Sequence, residues 1–237
     1  MTPQRLSKVL AEHCIASRRA CEQLIFSRRV RVNGHIILEP QTPVDPSCDE
    51  ILIDLKPLPK VSSKLYLMFH KPKGMICSHQ RQSNNKLIYD SFTNSSERLF
   101  SVGRLDKDTS GLLLMTNDGH FAHQITHPSF KISKEYLVKT NYEISDEHLK
   151  TIQQGALVEG KWVKPSKVQK VRRGTLKVIV HDGRKREVRC LVEAAFLKVL
   201  DLKRIRIGNL CLGSLQEGCY RPLTPKELDQ LLNLQKA

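Results

Sequence analysis

The chain has 237 residues, of which 39 are Lys or Arg and 24 are Asp or Glu, so its formal charge is +15; 40% of the residues are hydrophobic and 27% charged. That composition is too apolar for a disordered polyelectrolyte, and no apolar run approaches the ~18–20 residues a membrane-spanning helix needs. The expectation is a globular chain of one large or two smaller domains with a polyanionic partner and no membrane association.

The amino-terminal residues Met1 to Lys8 lack the apolar stretch of a signal peptide. The seven cysteines (Cys14, Cys21, Cys48, Cys77, Cys190, Cys211, Cys219) are odd in number and never spaced C-x-x-C. They suit neither a disulfide framework nor a zinc site, and they fit a reducing, cytoplasmic setting.

Residues 1–34 hold seven Lys/Arg against two Glu, a local charge of +5. Leu6, Val9 and Leu10 form one helical apolar stripe, and Ala20, Cys21, Leu24 and Ile25 another, with Ser17 placed to cap the second helix. Arg18 and Arg19 then sit at the positive end of that helix dipole, a conflict that an external anion relieves. From Arg28-Arg29 to Ile37 apolar and polar residues alternate about Asn33-Gly34, a hairpin signal. Residues 35–60 carry two Lys against five acids, and Lys56 to Lys64, with two prolines and three lysines, reads as a solvated linker. The expected division is therefore a small basic domain over 1–60, a linker at about 56–64, and a larger domain over 61–237 carrying +13.

In the larger half, Leu65–Phe69 reads as a short apolar strand ended by His70-Lys71-Pro72-Lys73-Gly74, and 78–97 as a polar surface loop. Asp146 to Gln154 is a helix capped by Ser145 and stopped by Gly155. Val168–Val171 and Leu176–Val180 flank Arg172-Arg173-Gly174-Thr175 as a hairpin. Lys185 to Phe196 reads as a helix and Leu202–Ile207 as a strand. Thr224-Pro225-Lys226-Glu227 is a capping box that opens a last helix. Helices and strands alternate without regular βαβ spacing, which points to an α+β fold with a mixed, largely antiparallel sheet. Neither a complete G-x-x-x-x-G-K-[ST] nor G-x-G-x-x-G occurs, so a nucleotide cofactor is disfavoured.

The informative stretch runs from Ser101 to Gly119: a charged loop, 104–110, lies between Gly103 and Gly111 and feeds an apolar strand. Alone, Asp106 and Asp108 read as turn or cap residues. The segment G-R-L-D-x-D-T-x-G-L-L-L-x-T-N-D-G, however, resembles the signature of the pseudouridine synthases that modify ribosomal RNA. Collinear support comes from His70 to Gly74, Lys134-Glu135-Tyr136, Gly183-Arg184-Lys185-Arg186-Glu187-Val188-Arg189 and Arg221-Pro222-Leu223-Thr224. Residues 4–54 resemble the small RNA-binding domain first seen in a ribosomal small-subunit protein and attached to one branch of that family.

The resemblance implies conversion of uridine to pseudouridine in ribosomal RNA, or in a pre-ribosomal particle, by a monomer without cofactor or metal. It leans towards large-subunit over small-subunit RNA. Asp106 takes the place of the catalytic aspartate, acting as nucleophile or base; it must be ionised, and Arg189 matches the basic residue that pairs with it. Tyr136 matches the tyrosine that stacks on the target base, with a core aromatic as the alternative. Arg104 matches the position that fills the space left by the flipped base, with an ion pair to Asp108 as the alternative. Arg184, Lys185 and Arg186 are expected on phosphates, as are Arg18, Arg19, Arg28 and Arg29. Departures are Cys190-Leu191 in place of an Arg and a Met, Phe196-Leu197 in place of a Gly-His-like turn, and Asp201 in place of an Arg. Two other readings compete: a non-catalytic RNA-binding or ribosome-assembly factor on the same scaffold, and a metal-dependent nuclease using Asp106, Asp108 and Asp118, which lacks an ordered set of histidine and carboxylate ligands.

Overall fold

A computed structural model describes residues 3–80, 84–93 and 97–233. The chain divides into two compact units. One comprises the residues up to Lys64 with Glu97–Arg98 and Asn117–Gly119, and the other begins at Leu65.

The first unit contains β1 (Gln4–Arg5), α1 (Leu6–Glu12), α2 (Arg18–Phe26), β2 (Val30–Val32), β3 (His35–Ile36), β4 (Pro43–Val44), β5 (Ile51–Ile53) and β6 (Lys56–Pro57). The first expected apolar stripe faces inward and the second does so except at Ala20, which is exposed: Leu6, Val9, Leu10, Cys21 and Ile25 are buried with Val30, Val44 and Ile51 in one cluster, and Leu24 packs partly buried against it. Ser17 caps α2 by accepting from Ala20 N at 3.2 Å. Asn33 and Gly34 both have positive φ, 50° and 80°, as a two-residue hairpin loop requires, and Val32 pairs with His35 across it. The segment expected as linker starts later than its composition suggests. Lys56–Pro57 pairs with β5, and His13 Nδ1 lies 2.7 Å from Pro59 O.

The second unit is built on one sheet, formed among the described residues by β13 (Lys167–Arg172), β14 (Thr175–Val180), β10 (Lys134–Thr140), β15 (Val199–Ile207), β9 (Ser110–Thr116), β7 (Tyr66–Lys71) and β17 (Tyr220–Pro222), in that order; β16 (Leu210–Cys211) pairs with β15 and β8 (Phe100–Val102) with β9. Every pairing is antiparallel except β15 with β9. All seven residues of β9 are buried. Leu113 and Met115 feed the core on one face of the sheet, and Leu112 and Leu114 the core on the other, which is why this strand is apolar throughout instead of alternating. Around the sheet lie α3 (Gly119–Thr126), α4 (Asp146–Gln154), the hairpin β11 (Ala156–Val158) and β12 (Lys161–Val163), α5 (Glu187–Glu193) and α6 (Pro225–Asn233).

Local signals held where they were strongest: Ser145 accepts from His148 N, Gly155 ends α4 at φ 98°, and Thr224 and Glu227 exchange their box bonds at 3.3 and 2.9 Å. Three elements differ from expectation. β7 runs on through His70 and Lys71, both buried. Within the expected 78–97 loop, Ile88–Phe92 forms a 3₁₀ turn with Ile88 and Phe92 buried; residues 81–83 and 94–96 of it lie outside the described residues. Finally, α5 begins at Glu187, because Arg186 takes a left-handed conformation (φ 55°), and it ends before Phe196, which is also left-handed (φ 58°).

Candidate active site

The loop between β8 and β9 is held from below by a buried lysine. Lys71, at the end of β7, is wholly inaccessible. Its Nζ donates to three main-chain carbonyls: Pro72 O at 3.0 Å, Asp106 O at 3.1 Å and Thr109 O at 2.9 Å. Burial pushes its pKa below the usual lysine range, opposed by the nearby Asp108 and Asp106 charges. Gly74 N donates to Lys107 O at 2.7 Å, and Thr109 N to Asp106 O at 3.1 Å, so both ends of the Asp106 turn are tied down. Gly111 secures the exit. Its φ is 113°, and a Cβ there would sit 2.2 Å from Arg204 O, so only glycine permits the parallel pairing of β9 with β15.

Asp106 is half-buried and lines a cleft of about 240 Å³ with Arg104, Tyr136, Arg184, Lys185 and Arg186. Tyr136 sits in β10, opposite Arg204 of β15, and is 7% exposed. It belongs to the core as well as to the cleft wall. The structure thus brings together two carboxylates, Asp106 and Glu187, one aromatic ring and four of the expected cations.

Arg189 does not meet the expectation attached to it. Its Nη2 lies 3.0 Å from Asp108 Oδ2 and donates to Asp108 O at 3.1 Å and Thr109 Oγ1 at 3.4 Å. The residue paired is therefore Asp108, two positions on from Asp106. The reason is geometric: Arg189 projects from buried α5, and its Nη2 is committed to the backbone and side chains of 108–109, while its Nε is buried without a hydrogen-bond partner. Arg186 adds a 3.6 Å contact to Asp108. Arg104 is consequently not the partner of Asp108; it is exposed on the cleft.

Glu187, overlooked in the sequence, shapes the basic turn. It is buried, its Oε2 accepts from Arg184 N at 2.9 Å, and burial raises its pKa. The three cations before it therefore form a folded loop on the cleft rim, not the first turn of a helix. Two further cations, Lys134 and Arg204, border the adjoining cavity. Lys134 stands in the Lys134-Glu135-Tyr136 match without a role of its own, and nothing in the local sequence of Arg204 distinguishes it from other basic strand residues. Asp118 is not part of the cleft; its carboxylate contacts Lys64 at 2.9 Å.

In the first unit Arg18, Arg19 and Arg28 are exposed. Arg29 is also exposed but engaged: Nε donates to Asp54 Oδ1 at 2.9 Å, and Nη2 to Oδ2. That pairing lowers the Asp54 pKa.

Comparison with known families agrees with this arrangement. A profile described as RNA pseudouridylate synthase matches residues 65–194, and one described as S4 domain matches 4–51. The chain belongs to the RNA pseudouridylate synthase family. Among curated relatives of this synthase, the Bacillus subtilis ribosomal large subunit pseudouridine synthase B is 36% identical, with 96% of this chain and 95% of that protein covered. A putative ribosomal large subunit pseudouridine synthase, SVR1, chloroplastic, from Arabidopsis thaliana is 42% identical over 97% of this chain, which spans 60% of that longer protein. A crystal structure of a pseudouridylate synthase superposes with a TM-score of 0.70 at 32% identity, covering 96% of this synthase and 99% of that one. Among the described residues, no helix is long and apolar enough to cross a membrane.

Proposed function

We propose that this synthase isomerises a specific uridine to pseudouridine in large-subunit ribosomal RNA. The observation that carries the reading is Asp106: a half-buried carboxylate, held by the backbone clamp of Lys71, facing the same cleft as Tyr136 and a rim of arginines. The target base must leave its stack, at a cost of a few kcal/mol, to reach such a cleft. Arg104 is exposed where it can occupy the vacated position, and Tyr136 offers its ring to the base. Asp106 then supplies the carboxylate that drives cleavage of the glycosidic bond, after which the base rejoins the ribose through carbon five. Arg189 serves as a positioning residue, acting on Asp106 through Asp108 and Thr109.

Arg184, Lys185 and Arg186 meet phosphates beside the target, and residues 1–60 dock the RNA through Arg18, Arg19 and Arg28. Arg29 contributes less, because a neutralised guanidinium releases fewer counterions. The synthase acts in the cytoplasm as a monomer, on ribosomal RNA or a pre-ribosomal particle, with chemistry supplied by protein side chains alone. The preference for the large subunit rests on the likeness to the Bacillus and Arabidopsis relatives, both named for the large subunit. Pseudouridine maps of both ribosomal RNAs, with and without the gene, test it. Loss of one large-subunit pseudouridine is expected; an unchanged map favours a binding or assembly role, and a lost small-subunit site overturns the choice of subunit.

A further inference from the structure

A second cavity of about 160 Å³ adjoins the cleft, and the two share Arg104, Tyr136 and Gly183. Its charged lining is Arg104, Lys134, Arg204 and Asp182. Arg204 is only 3% exposed. Its Nε donates to Leu112 O at 2.7 Å, but its Nη2 is enclosed and finds no hydrogen-bond partner. No carboxylate lies within ion-pairing distance of it among the described residues. Asp182 is turned to Arg184, 3.6 Å away. Lys134 Nζ donates to His181 O at 2.6 Å and Ile132 O at 3.3 Å and makes no direct ion pair, with Glu187 and Asp182 acting on it only at longer range.

A buried guanidinium without a counter-charge is costly to the fold, and a fork with one donor unused is shaped for an oxyanion. We infer that this cavity receives one backbone phosphate of the substrate RNA, bound by Arg204 with Lys134 and Arg104, next to the nucleotide whose base enters the cleft. Three cations against the one carboxylate of Asp182 leave the cavity net positive, as an anionic phosphodiester requires. The three shared residues place that phosphate within one nucleotide of the base. Tyr136, opposite Arg204 in the sheet, then lies between the phosphate site and the base site, so filling one orients the other. The cavity is an anchor for the nucleotide, not part of the chemistry. The inference rests on the function proposed above for the backbone source of the phosphate, and on the geometry alone for the anion.

The test uses the full chain. Inorganic phosphate, titrated against chloride at equal ionic strength, is expected to raise the melting temperature of the wild type by about 2–5 °C at several times its Kd. Arg204→Met should lose that increment, Arg204→Lys should keep part of it, and Lys134→Gln should reduce it, giving a reading should Arg204→Met fail to fold. In the second arm, RNA spanning the modified uridine carries a single neutral methylphosphonate at each flanking position in turn. One position should weaken wild-type binding about tenfold and leave Arg204→Met or Lys134→Gln within twofold. No increment in the wild type, or an equal one in all variants, overturns the anion site. An increment with no sensitive backbone position assigns the cavity to free phosphate and overturns the RNA source. A wild type that shows the increment but releases no tritium from carbon-five-labelled uridine refutes the proposed function while leaving the anion site standing.

Discussion

Replacing Lys71 by Met keeps the length and apolarity of the side chain but removes the ammonium under the Asp106 loop. Three bonds from a charged donor are lost, each worth roughly 1.5–3 kcal/mol. Against this stands relief of a buried charge, itself several kcal/mol. The balance falls on the carbonyls left behind. Asp106 O still accepts from Thr109 N at 3.1 Å, and the carbonyl of half-buried Pro72 can regain water, but Thr109 O is stranded. A net loss of about 2 kcal/mol follows, or roughly 4–8 °C in the melting of a unit this size.

The larger effect is on catalysis, because a displacement of an ångström at a catalytic carboxylate costs about 100-fold in rate. The assay is single-turnover tritium release beside a thermal melt. Burial lowers the folded-state pKa of Lys71, so at pH below that value both states hold the proton and the full penalty is carried. As pH rises through the folded value, the native amine deprotonates while the unfolded one stays charged up to ~10.4. Wild type should therefore gain stability relative to Lys71→Met across that alkaline window. Native turnover in the variant, or a stability difference flat with pH, refutes the clamp.

Two further perturbations follow. Arg189→Met and Asp108→Asn should each cut turnover more than tenfold with little change in RNA affinity, and the double variant should resemble either single one, because both break the same 3.0 Å pair; additive losses in a double-mutant cycle would place them on separate paths. Phe196→Gly should stabilise the fold by up to ~1 kcal/mol in a urea titration, because Phe196 is 94% exposed at φ 58° and glycine takes that conformation freely; destabilisation would show that the ring makes contacts the fold needs.

Elements that announce themselves locally were legible in the sequence. Ser17, Asn33-Gly34, Ser145 with Gly155, and the Thr224 box each satisfy backbone groups within a few residues, so a short window contains the whole cause. Lys71 shows the opposite case. A lysine after an apolar run marks a strand end by local rules, yet two carbonyls of the distant 106–109 loop converge on it together with that of Pro72, and it lies wholly inside. The start of α5 was misplaced for a related reason: Glu187 pulls Arg184 N back by its carboxylate, closing a turn where helix propensity alone continues the helix. At the site, Asp106, Tyr136 and the basic rim were found through family resemblance, since their chemistry depends on strands far apart in the chain. The choice between Asp106 and Asp108 for Arg189 is a matter of two residues in one loop. Pattern matching identified the arginine but could not place its Nη2. Arg204 carried no local signal, because only the missing counter-charge singles it out.

Asp106→Asn tests the central claim most directly. The carboxamide keeps the shape of the side chain and the backbone bond to Lys71 but removes the charge. On substrate RNA labelled with tritium at carbon five, the variant should bind within about threefold of wild type and release tritium at least ~10³-fold more slowly. Release at the wild-type rate by a folded Asp106→Asn protein would contradict the account.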